Sequence, residues 1–424
     1  DIYGYQSKHT GIINIWFSDV IIKNILLRDI NSGSAVGIKA NNSDVVLLDI
    51  EMKNSTLNIG LDIYASKLTV NNFNIHDCTG RIWYTETDGE CCDVFVSDGQ
   101  AIVIDNENLE YSNQHLLTNI ASQNNKGGGI SITKSLINIS NVAISGNTSY
   151  HHLPGTGLGV GNSNLFITNA TIANNIRCYE NPNQDYCENQ ATLYHPSAGI
   201  NIWSGDPDPI INNCIIWGNS GPQIWIFIEY NCCNDLGESY GYPISEPIIS
   251  YSNIQGGWEG EGNIDVNPLF ADLANGDLTP TANECINSGD PNLWYNDLDG
   301  TRADIGFTGG SYILPSFIDY DFGDIGLNGA YAKWTLFNSR DTDININDIL
   351  SSTGNLFTTT SSAIISPNEV FSIDINCQPQ QLGLLNDAMV IQSSELPTGI
   401  SIPVTANVIG ENILSGSLNG IITE

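Results

Sequence analysis

The stretch NVAISGN, Asn141 to Asn147, returns as NATIANN, Asn169 to Asn175. Each sets an Asn ahead of alternating small and β-branched residues and closes on a second Asn. The preceding residues extend the match: SLINISNVAI (Ser135 to Ile144) superposes on SNLFITNATI (Ser163 to Ile172) and on SKLTVNNFNI (Ser66 to Ile75). SDVIIKNILL from Ser18 and SDVVLLDIEM from Ser43 fit the same template, with Asp49 at the Asn position, while PIINNCII (Pro209 to Ile216) and PIISYSNI (Pro247 to Ile254) keep its apolar part. With Asn24, Asp49, Asn72, Asn141, Asn169 and Asn213 as equivalents, the steps are 25, 23, 69, 28 and 44 residues. The short steps define a unit in the solenoid range, and the long ones are multiples or carry insertions.

Inside the template Leu68 and Val70, then Phe73 and Ile75, follow the two-residue period of a strand with one buried face. Stacking each strand on its copy buries a continuous aliphatic column. An Asn at the bend tolerates left-handed backbone and offers its amide to the Asn one coil above. The chain therefore reads as all-β, a right-handed parallel β-helix (β-solenoid), with the recurring Asn structural rather than catalytic.

Composition bounds the partners. Across 424 residues, 13 Lys and Arg stand against 47 Asp and Glu, a formal net charge of −34. Such a surface repels phosphate backbones and anionic lipid and attracts divalent cations, so neither nucleic acid nor a membrane surface is an expected partner. No apolar run has the length of a membrane span, and Asp1 opens on no signal-like segment, as expected of a processed or excised piece.

The ten cysteines contain no CxxC pair, which argues against zinc. Their even number fits an oxidising, extracellular setting at a cell surface. Cys178 and Cys187 bracket CYENPNQDYC, a polar excursion between coils that a disulfide is expected to pin. The doublets Cys91-Cys92 and Cys232-Cys233 also sit in insertions, and their partners are not readable.

Beyond about Ser250 the text changes. NCIIWGNSGPQIW, then ISYSNIQGGWEGEGNIDVNPLFADLANGDLTPTANECINSGDP, then DLDGTRADIGFTGG, resembles the closing coils of bacterial surface proteins of the right-handed β-helix, "choice-of-anchor Q" type. That resemblance, from about Asn213 to Gly310, implies a β-helix carried on a large secreted protein. The next segment, with FGDIGLNGAYAKWTLFN, SPNEVFSIDINCQP and ISIPVTANVIG, alternates strands and turns at sandwich spacing. It resembles the hydin-type immunoglobulin-like module, which implies a spacer or binding surface rather than an enzyme. The expected organisation is a β-helix over residues 1–312 with loop insertions, a small immunoglobulin-like β-sandwich over 313–410, and a C-terminal tail over 411–424.

Enzymatic chemistry on a polysaccharide would need particular residues. Elimination beside a uronate needs a base, usually Arg or Lys in a groove. The arginines are Arg28, Arg81, Arg177, Arg302 and Arg340, and they form no cluster in the sequence. Arg302, inside DLDGTRADIG, reads as a structural ion-pair former. Hydrolysis needs two placed carboxylates. Asp206 with Asp208, or Glu86, Asp88 and Glu90, supply carboxylates but read as solvated turns. His151 and His152 read as exposed turn residues, since no phosphate-loop motif accompanies them. Trp203, Trp217 and Trp225 read as core or stacking residues, and their spacing alone does not establish a shared face for sugars.

Two readings stand for DLDGTRAD. Asp297, Asp299 and Asp304, with Gly300 between them, supply hard oxygen ligands for calcium, or they cap a turn and pair with Arg302. DTDININD, Asp341 to Asp348, reads as a strand with Ile344 and Ile346 inward. The tail GENILSGSLNGIITE, through Ile413, Leu414, Leu418, Ile421 and Ile422, is expected to dock on the open first coil of a neighbouring copy, or else to continue a tandem array. The functional expectation is a non-enzymatic structural or adhesive surface protein that contacts further copies of itself or other surface proteins. The alternatives are a carbohydrate-active β-helix enzyme and a glycan-binding module without turnover.

Overall fold

The computed structural model describes residues 11–31, 36–57, 59–64, 66–79, 102–105, 114–149, 156–161, 163–177, 198–203, 208–227 and 246–410. It is all-β, divided into compact units at Asp1–Tyr312 and Ile313–Glu424.

In the first unit the chain alternates between two parallel sheets. It runs through β1 (Gly11–Trp16) and β2 (Asp19–Arg28), β3 (Val36–Asn41) and β4 (Asp44–Lys53), β5 (Ile59–Tyr64) and β6 (Lys67–His76), then β7 (Ile102–Asp105) and β8 (Gln114–Gln123). It continues through β9 (Ile130–Thr133), β10 (Leu136–Ser145), β11 (Thr148–Ser149), β12 (Leu158–Gly161), β13 (Asn164–Ala173) and β14 (Ile176–Arg177). β15 (Ile200–Trp203), β16 (Ile210–Asn212), β17 (Ile215–Trp217), β18 (Ile224–Phe227), β19 (Ile248–Ser250) and β20 (Asn253–Ile254) close the series. One sheet has eight strands in the order β1-β3-β5-β7-β9-β12-β15-β18; the other has ten, its main path running β19-β16-β13-β10-β8-β6-β4-β2.

Registers follow the template: Asp19 pairs with Asp44, Asp44 with Lys67, and Leu136 with Asn164. One further repeat, QHLLTNIASQ, which the template in the sequence does not reveal, forms β8. It places Asn119 between Asn72 and Asn141 and divides the long 69-residue step.

The recurring position bends the strand. Asn24, Asp49, Asn72, Asn119, Asn141, Asn169 and Asn213 all have φ between 50° and 59°. One left-handed residue shifts the phase of alternation by one, so Ile137 and Ile139 before Asn141, and Val142 and Ile144 after it, all point inward with no exposed surface. Five residues on, Asp29, Asn54, Asp77, Asn124 and Asn174 are left-handed as well, with Gly146 and Gly218 at the equivalent place.

The interior is aliphatic. Ile38, Leu61, Ile130, Leu158 and Ile200 stand in one column with no exposed surface, each worth about 1.5–3 kcal/mol of burial. Beside it runs a column of glycines. A Cβ on Gly37 would stand 2.5 Å from the Gly60 oxygen, and one on Gly157 2.4 Å from the Gly199 oxygen, so close approach of neighbouring courses requires glycine there.

Two polar ladders join successive courses. Ser43 Oγ accepts from the Ser18 N–H at 3.2 Å, Ser66 Oγ from Ser43 at 3.0 Å, and Ser163 Oγ from Ser135 at 3.1 Å. The second ladder uses fully buried Asn side chains one residue past the second bend. Asn147 Oδ1 accepts from the N–H of Asn125 at 3.0 Å, Asn175 Oδ1 from Asn147 at 3.1 Å, and Asn219 Oδ1 from Asn175 at 3.0 Å; Gln223 Oε1 ends the series by accepting from Asn219 at 3.2 Å. The amides also link to one another, with Nδ2 of Asn125, Asn147 and Asn175 donating to the next oxygen at 2.9 to 3.0 Å. Asn147 and Asn175 are the closing residues of NVAISGN and NATIANN.

The second unit holds β21 (Ile313–Pro315), β22 (Tyr320–Ile325), β23 (Ala330–Asn338), β24 (Ile344–Ser351), β25 (Leu356–Phe357), β26 (Ala363–Ile365), β27 (Val370–Cys377), β28 (Gly383–Ser393) and β29 (Ser401–Val408). A four-stranded sheet has the order β21-β23-β27-β25 and a five-stranded sheet the order β22-β29-β28-β24-β26. Trp334 is fully buried, edge-on to Phe371 at 6.5 Å, with its indole N–H donating to the Phe317 carbonyl. Ile344 and Ile346 point inward at 0% and 2% exposure, which makes the DTDININD stretch a strand entry. All four sheet edges are short or interrupted: β21 ends in Pro315, β25 and β26 have two and three residues, and β22 carries a bulge between Asp321 and Asp324. Such edges resist pairing with another chain.

Candidate functional site

Residues 271–310 lie against the outer face of the ten-stranded sheet. Leu278 packs on Ala143 and Ala173, while Ala282, Cys285 and Ile305 pack on Ile215. The bend residues hold this cover. Asn141 Nδ2 donates to the Phe307 and Gly309 carbonyls at 3.1 and 2.6 Å, and Asn169 Nδ2 to the Asp304 carbonyl at 3.3 Å. Asn213 Oδ1 accepts from the Asp290 N–H at 2.6 Å. The expected amide link to the equivalent bend residue of the adjacent coil occurs at Asn72, which donates to Asp49 Oδ1 at 2.8 Å; at Asn141, Asn169 and Asn213 the cover has replaced it.

DLDGTRAD lies in this cover. The Asp297 carboxylate accepts from the N–H groups of Gly310 and Asp304, Asp299 from the N–H and hydroxyl of Thr301, and Asp304 from the N–H of Asn287 at 2.7 Å. Burial pushes the Asp297 carboxyl up to about 6, with Asp304 and Asp299 adding to the shift and the two N–H donors opposing it. Arg302 departs from the expected ion pair. Its Nε and Nη2 donate to the Gly289 and Ser288 carbonyls, and its guanidinium lies 5.6 Å from the Tyr251 ring centre, because these carboxylates are engaged by N–H groups and Thr301. Among the described residues, no group of three or more His, Cys, Asp or Glu is placed to hold a metal ion.

The other singled-out residues are dispersed. Arg28 lies beside Asp29 at 3.7 Å on an exposed surface, Arg340 Nη1 donates to the Glu395 carbonyl at 2.8 Å, and Asp208 accepts from the Glu246 N–H at 2.9 Å. Cys78, Cys214, Cys285 and Cys377 are buried free thiols, and burial pushes Cys214 up to about 12. Cys178, Cys187, the two Cys doublets, Arg81, Glu86, Asp88, Glu90, His151, His152, Asp206 and the tail residues Ile413, Leu414, Leu418, Ile421 and Ile422 lie outside the described residues.

Register settles the tryptophans. Asn201 pairs with Trp225 and Trp203 with Phe227, so positions 203 and 225 have the same parity in adjacent strands of the eight-stranded sheet. Trp217 belongs to the other sheet and packs beside Ile215 under the cover.

The two ends of the stack differ. At the far end Ile254 N donates to Ile264 O at 2.9 Å, Ser252 N to Asn263 Oδ1 at 3.0 Å, and Trp258 packs against the aliphatic core. At the near end β1 and β2 are edge strands, and no residue of β2 is buried. Phe17 is 77% exposed and Ile21 62%, with Ile12 and Leu26 also exposed. Sequence periodicity could not separate this course from the others, because its residues follow the same template.

No protein-family model matches the chain, and no curated protein matches it. Among solved structures, WR4, a C. elegans MSP family member, is 18% identical over 23% of this chain and 99% of its own, with a TM-score of 0.19. A protein of unknown function from Porphyromonas gingivalis W83 is 15% identical over 23% of this chain and 46% of its own, TM-score 0.20. The Pseudomonas aeruginosa CupB2 chaperone is 9% identical over 22% and 55%, TM-score 0.19. The matches span about half the length of the latter two proteins, and likenesses at this level carry no argument.

Proposed function

We propose that this chain is an extracellular, non-enzymatic surface protein: a right-handed parallel β-helix followed by an immunoglobulin-like sandwich, joined end to end with further copies through its first course. Parallel strands joined by crossovers are right-handed in nearly all cases, which supports the handedness. The carrying observation is an asymmetry of the stack among the described residues: Trp258 packs against the aliphatic core at the far end, whereas β1 and β2 at the near end are edge strands and β2 has no buried residue. Such edges template a further strand, and a head-to-tail contact of this kind does not close on itself. The occupant is the 411–424 tail of a neighbouring copy.

Sedimentation and negative-stain electron microscopy test the assembly. The intact chain is expected to form linear polymers, and deletion of 411–424, or Phe17→Glu with Ile21→Glu, to leave folded monomers. An intact chain that stays monomeric at high concentration, or variants that still polymerise, overturns it. The non-enzymatic part predicts no release of reducing or unsaturated ends from pectin or alginate, and any release above background overturns it. For DLDGTRAD the hydrogen bonds favour the turn cap over calcium; millimolar calcium that raises Tm in the native chain but not in Asp297→Asn would reverse that reading.

A further inference from the structure

The outer face of the four-stranded sheet carries an exposed aromatic pair. β23 alternates Ala332 and Trp334 inward with Tyr331, Lys333 and Thr335 outward; β27 alternates Ile373 and Ile375 inward with Ser372, Asp374 and Asn376 outward. Tyr331 pairs directly with Asn376, and Asn376 with Phe357 on β25, so the three form one row across three strands. Tyr331 is 70% exposed and Phe357 48%. Two strand spacings separate them, about 9.5 Å. The adjoining rows place Lys333 opposite Asp374 and Thr335 opposite Ser372. The Asn376 amide donates to the carbonyls of Phe357 and Asp374 at 3.4 and 3.2 Å.

From this row we infer that the face is a binding platform for a neutral polysaccharide. Strands favour aromatics in general; what distinguishes this face is that two of them, both largely exposed, flank one amide in a single register row. A protein partner fits poorly. Interfaces between proteins have a contiguous apolar centre with charge excluded from it, whereas this row is interrupted by an amide and bordered by Lys333 and Asp374. A pyranose chain repeats apolar C–H faces, which stack on aromatic rings, between hydroxyls, which bond amide, hydroxyl and charged groups. The row Tyr331, Asn376, Phe357 with its polar border has that alternation. The chain's net charge of −34 repels polyuronates and other polyanions, which favours a neutral chain as the ligand. The short, interrupted edges of this sheet also leave its face, rather than its edge, as the surface for a ligand.

Native affinity electrophoresis of the full chain tests this, with gels containing soluble β-1,4-glucan, galactomannan, xylan or polygalacturonate. At least one neutral polymer is expected to retard the protein, and polygalacturonate is not. Tyr331→Ala and Phe357→Ala are each expected to weaken apparent affinity on the order of tenfold, since each removes one stacking contact. Ile364→Ala, 66% exposed on the other sheet, should leave it unchanged. Both aromatic side chains lie outside the core, so the variants should keep the near-UV circular dichroism of the parent. Failure of every neutral polymer to retard the chain overturns the proposal, as do retardation by polygalacturonate alone and equal retardation of parent and both variants. If the variants instead change the oligomeric state, the face is a protein contact and the proposal falls.

Discussion

Replacing Asn175 by Ala removes one rung of the buried amide ladder. The side chain is fully buried and makes four hydrogen bonds. Its Oδ1 accepts from the N–H and Nδ2 of Asn147, at 3.1 and 3.0 Å, and its Nδ2 donates to the Ile144 carbonyl and Asn219 Oδ1, at 3.0 and 2.9 Å. In the variant the Asn147 N–H loses its acceptor inside an aliphatic interior, which costs about 1–3 kcal/mol. The Asn147 amide keeps the Ser122 carbonyl and Asn219 Oδ1 keeps the Asn175 N–H, so those losses are nearer the net value of a satisfied bond, about 1 kcal/mol each. With the donor lost to the Ile144 carbonyl counted at the same rate, the sum is about 4 to 6 kcal/mol. Asn24→Ala is the control: that residue is exposed and left-handed at φ 55°, so the change should cost only about 1 kcal/mol of backbone strain. Urea denaturation followed by far-UV circular dichroism measures both, and amide exchange at Asn147 should quicken only in the Asn175 variant. Equal costs for the two substitutions, or unchanged exchange at Asn147, would refute the ladder as a source of stability.

Gly157→Ala should be poorly tolerated, losing at least about 3 kcal/mol in the same urea assay, because its Cβ would meet the Gly199 and Ala198 backbone oxygens at 2.4 and 2.6 Å. Gly256→Ala, left-handed at φ 90° with open space around it, should lose only about 1 kcal/mol. The units should answer pH in opposite senses. Asp297, raised to about 6 by burial, favours the folded state fully below the unfolded carboxylate value, and that contribution is lost as pH rises from about 4 to 6. Asp387 is the reverse case. Burial alone would raise its carboxyl, but Thr353, Ser352 and Ser351 outweigh that and hold it well below the usual range, and the hydroxyl of Ser394 with Asn345 brings Glu395 down to about 2. Their stabilisation is present above about pH 4.5 and is lost as pH falls toward 2. Melting temperatures from pH 2 to 7 check both, and a slope between pH 4 and 6 that survives Asp297→Asn would contradict the assignment.

Local features can be read directly from the chain. Alternation of Leu68 and Val70 against Phe73 and Ile75 is written in the chain, and only a left-handed residue between them keeps both pairs on one face, so Asn72 and its equivalents were legible as bends. Ile344 and Ile346 were legible as inward strand residues for the same reason. The repeat at β8 was not, because Asn113 stands in the sequence where the template has Ser and long stretches separate it from its neighbours. Which Asn does what was decided by tertiary structure. Asn141 and Asn147 stand six residues apart in one motif, yet one grips a cover drawn from residues 307–309 and the other bonds the course 28 residues on. A side chain's hydrogen bonds depend on what is stacked above it and laid over it, and neither partner is encoded in the motif. The same holds for the row of Tyr331, Asn376 and Phe357, three residues from separate strands that only antiparallel register brings together.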